Sequence, residues 1–212
     1  GLLGYRYLPP HLNPLAPLAL DDPPGWLTSF KLRRLTADQC ASLLAEANRR
    51  RLIASQPVAD SEGSCPLHNV VRVANFGSVT LSSSFLASCP LALSSALYVE
   101  QQAKPLTRQL MASDLRQIDH LGSFACRNIY HRQQARRSEH ATADALDVSG
   151  FRLADGRRVS VLQGWRSETS HPWLAALLNN SCHYFGNALG PEYNAAHANH
   201  FHLGMRGQGF CF

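Results

Sequence analysis

No stretch of this 212-residue chain approaches the roughly 20 consecutive apolar residues that a bilayer-crossing helix needs, and no basic start with an apolar run opens it. The residues present are expected to form a soluble domain, with any export signal or membrane anchor lying ahead of the abrupt Gly1-Leu2-Leu3-Gly4 start. No Cys-x-x-Cys pair occurs, which argues against a zinc ribbon or a thioredoxin-like redox motif. Internal repeats and low-complexity tracts are missing too, so a repeat architecture drops out. Charged residues are only 17% against 45% hydrophobic, the balance of a chain that folds rather than one that stays disordered.

What is present begins with six scattered cysteines, Cys40, Cys65, Cys89, Cys126, Cys182 and Cys211. Buried free thiols in a cytosolic protein are one reading. A spread of six is unusual for a reduced domain, so disulfides and a periplasmic or secreted location are the better one, with every connectivity still open. The net charge is +5, with basic groups at Lys31, Arg33 and Arg34, at Arg49–Arg51, and at Arg132, Arg136 and Arg137. A basic surface favours an anionic partner: nucleic acid, acidic lipid or a carboxylate-rich cell-wall polymer. Solvated helix faces explain each cluster taken singly. No zinc-finger spacing or aromatic RNA-binding motif accompanies them, so nucleic acid is not an expected partner.

Prolines at 9, 10, 14, 17, 23 and 24 are too dense for a helix and mark residues 1–25 as an extended lead-in. A capping box at Thr36 and Gln39, with Leu43, Leu44 and Ala47 as an apolar stripe, predicts a helix to Arg51 that carries Cys40. Short strands and turns are expected from Val58 to Leu81. A helix is expected over Cys89–Met111, kinked or ended by Pro105, followed by strands over Ile118–Tyr130 and Val159–Trp165. A helix over Pro172–Leu189 and a strand over His197–Met205 complete the reading. Helices and strands without βαβ alternation predict an α+β domain. Residues 1–60 read as a lead-in plus helix, and residues 61–212 as the main domain.

Three histidines fall close together at His197, His200 and His202. On a strand, His200 and His202 share a face and can share a metal. A catalytic zinc takes three protein ligands and leaves a position for water. The remaining donors have to come from elsewhere. The best segment runs from Ser138 to Asp147, with a histidine and a carboxylate separated by small residues.

Ser138, His140, Ala145 and Asp147 resemble the first metal motif of the superfamily of lysostaphin-type endopeptidases, D-Ala-D-Ala peptidases and Hedgehog-like domains, with Ala143 where that pattern carries glycine. The second segment is similar to penicillin-insensitive murein endopeptidase. It differs from the dipeptidase version, because Asn199 stands where that version has a catalytic glutamate. From about Cys65 onward the chain resembles the bacterial extensin-like C-terminal domain family, through Phe124–Arg127, the 138–147 motif, Asp155-Gly156, the helix with Cys182 and Phe185, Leu189–Asn194, the histidine cluster and Cys211.

The resemblance implies a small antiparallel sheet flanked by helices, carrying Zn2+ on His140, Asp147 and His202. His200 would be the base, supported by His197, and Arg127 would stabilise an oxyanion. Ser138 would orient a ligand or bind substrate backbone, or simply cap a turn. The implied activity is hydrolysis of an amide in peptidoglycan peptide, as a murein D,D- or L,D-endopeptidase. The alternative is a non-catalytic, zinc-stabilised cell-wall-binding module.

Overall fold

The computed structural model describes residues 2–127 and 136–212. The β-favouring text after Val58 becomes a hairpin, in which β2 (Val70–Phe76) and β3 (Val79–Ser88) pair antiparallel through Gly77. Glycine is required at this turn, because φ is 68° and a Cβ would collide with the Arg51 carbonyl. β1 (Ala54–Pro57) adds to the free edge of β2.

Six more strands complete the sheet: β4 (Leu115–Gly122), β5 (Ala145–Leu153), β6 (Arg158–Ser160), β7 (Asn187–Leu189), β8 (Phe201–Gly204) and β9 (Phe210–Cys211). Their order is β1-β2-β3-β4-β5-β8-β7-β9, with β6 beside β5. The sheet is therefore larger than expected, and it is mixed rather than antiparallel, since β3 runs parallel to β4 and β7 to β9. A helical crossover between β3 and β4 makes the first parallel pair possible where a tight hairpin would forbid it. β4 ends at Gly122; positions 128–130 of the strand expected there, and Arg132, lie outside the described residues.

The capping box forms as read: the Thr36 hydroxyl accepts from Gln39 N–H and the Gln39 side chain from Thr36 N–H, opening α2 (Ala37–Arg49). The crossover starts as α3 (Cys89–Tyr98), capped by Ser88. Pro105 does not end the helix. Val99–Ala103 widens into a π turn, and α4 (Lys104–Met111) continues, the wider turn absorbing the proline's crowding of the preceding carbonyls.

Three other readings change. Val159–Trp165 splits into β6 and a helical turn, α5 (Val161–Gly164), because the Ser160 hydroxyl caps it. The helix expected to Leu189 stops at Ser181 (α6, His171–Ser181), and the apolar residues beyond it serve a buried loop and β7. The strand expected from His197 begins only at Phe201, after a 3-10 turn over Ala195–His197. No sequence signal announces α1 (Trp26–Arg33), which buries Leu27 and Leu32 and adds polar contacts: Ser29 Oγ donates to His183 O at 2.6 Å and Lys31 Nζ to Pro10 O at 3.2 Å.

The main core cluster draws side chains from Leu18 through Leu203, with α3 buried along its length. Phe151 meets Trp173 at 5.2 Å, and Tyr98 meets Phe185 at 5.6 Å. All six cysteines pair, as Cys40–Cys89, Cys65–Cys126 and Cys182–Cys211. The first ties α2 to the start of α3, and the last ties the end of α6 to β9.

The denatured, unreduced chain should show no thiol toward Ellman's reagent, and a peptide map should recover these three pairs. Replacing Cys40 and Cys89 together by serine frees a loop with a sequence separation of 49. This should lower stability by about 4 kcal/mol in urea melts; an unchanged midpoint would contradict the pairing.

Candidate metal centre

Two of the three expected ligands are set by strand register. β5 and β8 pair antiparallel with Asp147 directly opposite His202. In both strands the neighbours turn the other way: Leu146, Val148, Phe201 and Leu203 enter the core, so Asp147 and His202 emerge together on the opposite face. His140 arrives from a 3-10 turn, Glu139–Thr142, whose entry is fixed by the Ser138 hydroxyl accepting from His140 N–H at 3.2 Å. The turn ends on Ala143 in the left-handed region, φ 55°. This is the position where the resembled motif carries glycine. The strain of a Cβ there is offset by full burial of its methyl group beside Leu67 and Val70.

His140, Asp147 and His202 each offer one ligand atom, all within 4.8 Å of one another. His140 Nε2 lies 3.2 Å from Asp147 Oδ2, and His202 Nδ1 lies 3.2 Å from Asp147 Oδ1. Ligands held about 2.0 Å from one ion at tetrahedral angles are about 3.3 Å apart. The spacing and the donor set of two imidazoles and a carboxylate fit zinc.

The far nitrogen of each ligand ring is anchored. His140 Nδ1 donates to the Ser123 carbonyl at 2.9 Å, which leaves Nε2 for a metal. His202 Nε2 donates to Glu139 Oε2 at 2.8 Å, which leaves Nδ1. Such partners set the tautomer and the basicity of a ligand histidine. Glu139 is a residue the sequence reading missed, lying at the unspecified position between Ser138 and His140. It is buried, and it also accepts from Arg206 N–H at 2.6 Å and from Asn187 Nδ2 at 3.0 Å. Gly204 makes room for it, since a Cβ there would overlap the carboxylate.

Burial raises the Asp147 carboxyl, but hydrogen bonds from His140 and His202 and their charges outweigh it and hold the group well below the usual carboxylate range. Burial likewise opposes ionisation of Glu139, and the bonds from His202 and Arg206 N–H bring it net below its ordinary value. Burial lowers His202, yet the bonds to Asp147 and Glu139 raise it to about 9. The two other histidines go the opposite way. Desolvation, then the charges of His200 and His202, push His197 down to about 4. Desolvation also lowers His200, with Asp147 opposing and His202, His140 and Arg127 adding to the fall.

All seven residues singled out in the sequence line one cleft of about 530 Å³: Arg127, Ser138, His140, Asp147, His197, His200 and His202. His200 Nε2 lies 3.7 Å from Asp147 Oδ1, while its Nδ1 donates to Asn199 Oδ1 at 2.9 Å. His197 Nδ1 donates to Asn194 Oδ1 at 2.7 Å, and its ring lies 5.0 Å from that of His200. Glu139, Asn187, Tyr193 and Arg206 join the lining without having been foreseen. Asn187, Tyr193 and Arg206 come from β7 and the loops flanking β8, and Glu139 from the turn that carries His140; no local pattern brings them together.

Among known proteins, the family described as Extensin-like protein C-terminus matches residues 38–212. No curated protein and no solved structure matches the chain.

With Asp147 and Glu139 pushing His202 up to about 9, a metal binding at its Nδ1 would have to displace a proton at neutral pH. Affinity for Zn2+ should therefore rise about tenfold per pH unit up to about 9, with one proton released; a flat profile in competition titrations would contradict this. Metal-free stability has its own window. The His202 contribution is complete below 6.5 and is lost through about 9, while those of Asp147 and Glu139 are complete above 3.8 and 4.5 and are lost in acid. Melting of the metal-free protein should thus fall as pH rises from 6.5 to 9. Glu139→Gln and Gly204→Ala should each weaken zinc binding by about 10- to 100-fold, measured against a chromogenic chelator.

Proposed function

This chain belongs to the extensin-like C-terminal family, and we propose that it is a zinc-dependent peptidoglycan hydrolase that cleaves an amide bond in murein peptide stems or crosslinks. The observation that carries the reading is a three-donor metal group with the Nε2 of His200 3.7 Å from one of its carboxylate oxygens, both facing an open cleft. A zinc ion on His140, Asp147 and His202 would supply Lewis acidity toward a carbonyl oxygen and a water of lowered pKa. The chain's own residues do the rest. Asn199 holds His200 in the tautomer whose Nε2 lone pair faces the ligand group, so His200 accepts the water's proton and later delivers it to the leaving amine. His197 packs against His200 and, being neutral, does not compete for the metal-side charge. Arg127 offers the cation for a developing oxyanion. Ser138, whose hydroxyl is engaged with His140 N–H, acts mainly through the turn that presents the ligand.

Endopeptidase cleavage is favoured over carboxypeptidase trimming by the resemblance of the histidine cluster to murein endopeptidase, which also suggests the wider zinc-peptidase superfamily. Three disulfides fit an extracellular or periplasmic setting, and among the described residues no helix is long and apolar enough to cross a membrane. The rival reading is a zinc-stabilised wall-binding module. It is favoured by Asn199, which takes the place of the dipeptidases' glutamate and so leaves no carboxylate base in the cleft beyond those already engaged.

The test is digestion of purified sacculi by the zinc-loaded protein, with muropeptides followed by mass spectrometry. His200→Ala should keep its zinc and lose about 10²- to 10⁴-fold in rate. The acid limb of the wild-type profile should lie below 6.5, since His200 must be neutral and its value is lowered. Zinc bound with no cleavage by the wild type would favour the binding module, and no zinc affinity would sink both readings.

A further inference from the structure

Beside the cleft lies an aromatic ledge that the hydrolytic residues leave unused. Tyr193, Phe210 and Phe212 are 42%, 51% and 53% exposed, although large aromatics are ordinarily taken into a core. Their rings form a contiguous group. Tyr193 stands edge-on to Phe210 at 6.5 Å and to Phe212 at 5.9 Å, while the two phenylalanine rings lie 5.9 Å apart with planes within 9° of parallel.

The ledge is built on fixed backbone. Phe210 and Phe212 flank Cys211, so the period of an extended chain turns both rings to one side and the cysteine to the other, where it is tied to Cys182. Phe212 N–H donates to Ala188 O at 2.9 Å, and its carbonyl accepts from Gly190 N–H at 2.8 Å. Tyr193 N–H in turn donates to Gly190 O at 3.0 Å.

The ledge also runs on into the cleft. Tyr193 lines that cleft, and its ring lies 5.3 Å from His197. From this continuity we infer that the ledge binds the glycan strand of the wall polymer, stacking a β-1,4-linked N-acetylhexosamine ring on Phe210 and Phe212 while the attached peptide enters the zinc cleft. Pyranose rings present a face of C–H groups, and the electron-rich face of an aromatic ring is its complement. An exposed trio of rings carrying no formal charge suits such a ligand. The inference rests on the murein reading, because only a peptide borne on a sugar would bring the two surfaces into use together.

The test separates the two. A peptide-free tetramer of β-1,4-linked N-acetylglucosamine is titrated into the metal-free protein and followed by calorimetry and by NMR shifts. Binding should weaken about tenfold in Phe212→Ala and in Phe210→Ala, and be kept in Phe212→Tyr. Circular dichroism and an intact Cys182–Cys211 bond report folding. Zinc content should be unchanged in all three. If the wild type ignores the tetramer, or binds it as well after both alanine substitutions, the inference is overturned even if sacculi are cut. Binding of the tetramer by a protein that never cuts murein keeps the ledge and removes the hydrolase. Self-association lost in the same variants, without sugar binding, would give the ledge to a second copy and overturn the proposal.

Discussion

Everything at the candidate site hangs on one alignment, the pairing of Asp147 with His202 across β5 and β8. Side chains alternate along a strand, so a slip of one residue in β8 against β5 would turn His202 into the core, away from Asp147, and bring Phe201 or Leu203 to the surface. That register is protected because Leu146, Val148, Phe201 and Leu203 are each buried on the other face. The hydrophobic pattern of the sheet and the geometry of the metal site are thus one constraint seen from two sides. Exchanging a ligand leaves the register intact, whereas exchanging a core residue such as Phe201 puts the ligand geometry at risk.

Asp147 and Glu139 are two carboxylates drawn into the fold, with His202 between them, Nδ1 toward one and Nε2 toward the other. Without metal, a proton on His202 is what reconciles them, which is why the ring's affinity for that proton is raised. His202 would offer Nδ1 to a metal held with His140 and Asp147, its Nε2 proton remaining on Glu139. The residues that stabilise the metal-free fold therefore also orient the donors that would hold a metal. His200 and His197 sit outside this clamp, and desolvation lowers the proton affinity of both. One cleft thus holds histidines of opposite tendency, set apart by whether a carboxylate faces the ring closely enough to outweigh burial.

The ligand group was legible through the resemblance of the 138–147 segment and the histidine cluster to known metal motifs; the residues alone paired His200 with His202 and left the other donors open. The capping box at Thr36 was legible because it is written within four residues. Glu139 was not. Its meaning arises only when Asn187 of β7, Arg206 and the missing side chain of Gly204 converge on it from elsewhere in the chain. The strand β7 was hidden by Phe185 and Leu189, whose spacing continues the apolar period of α6 although the chain has left the helix. Helix α1 was hidden for the opposite reason: in eight residues it buries only Leu27 and Leu32 among its leucines, too few to show a period, and adds polar contacts such as Ser29 to His183. The parallel pairing of β3 with β4 is a property of the crossover path rather than of either strand.

A site that gathers like-charged and buried polar groups works against the stability of the fold around it, so something else has to hold the frame. The disulfides lie where that frame is loaded. Cys126 precedes Arg127 at the mouth of the cleft and is bonded to Cys65, while Cys211 fixes β9 beside β7, the strand that supplies Asn187 to Glu139. Covalent closure restricts the unfolded chain without asking the cleft for any apolar contact. The cleft walls are thereby free to carry arginine, histidine and exposed aromatic rings in place of the aliphatic residues that would otherwise hold the strands together. Oxidation is in this sense a condition of the cleft's polar lining, since a reduced chain would have to recover the lost stability from the residues that line it.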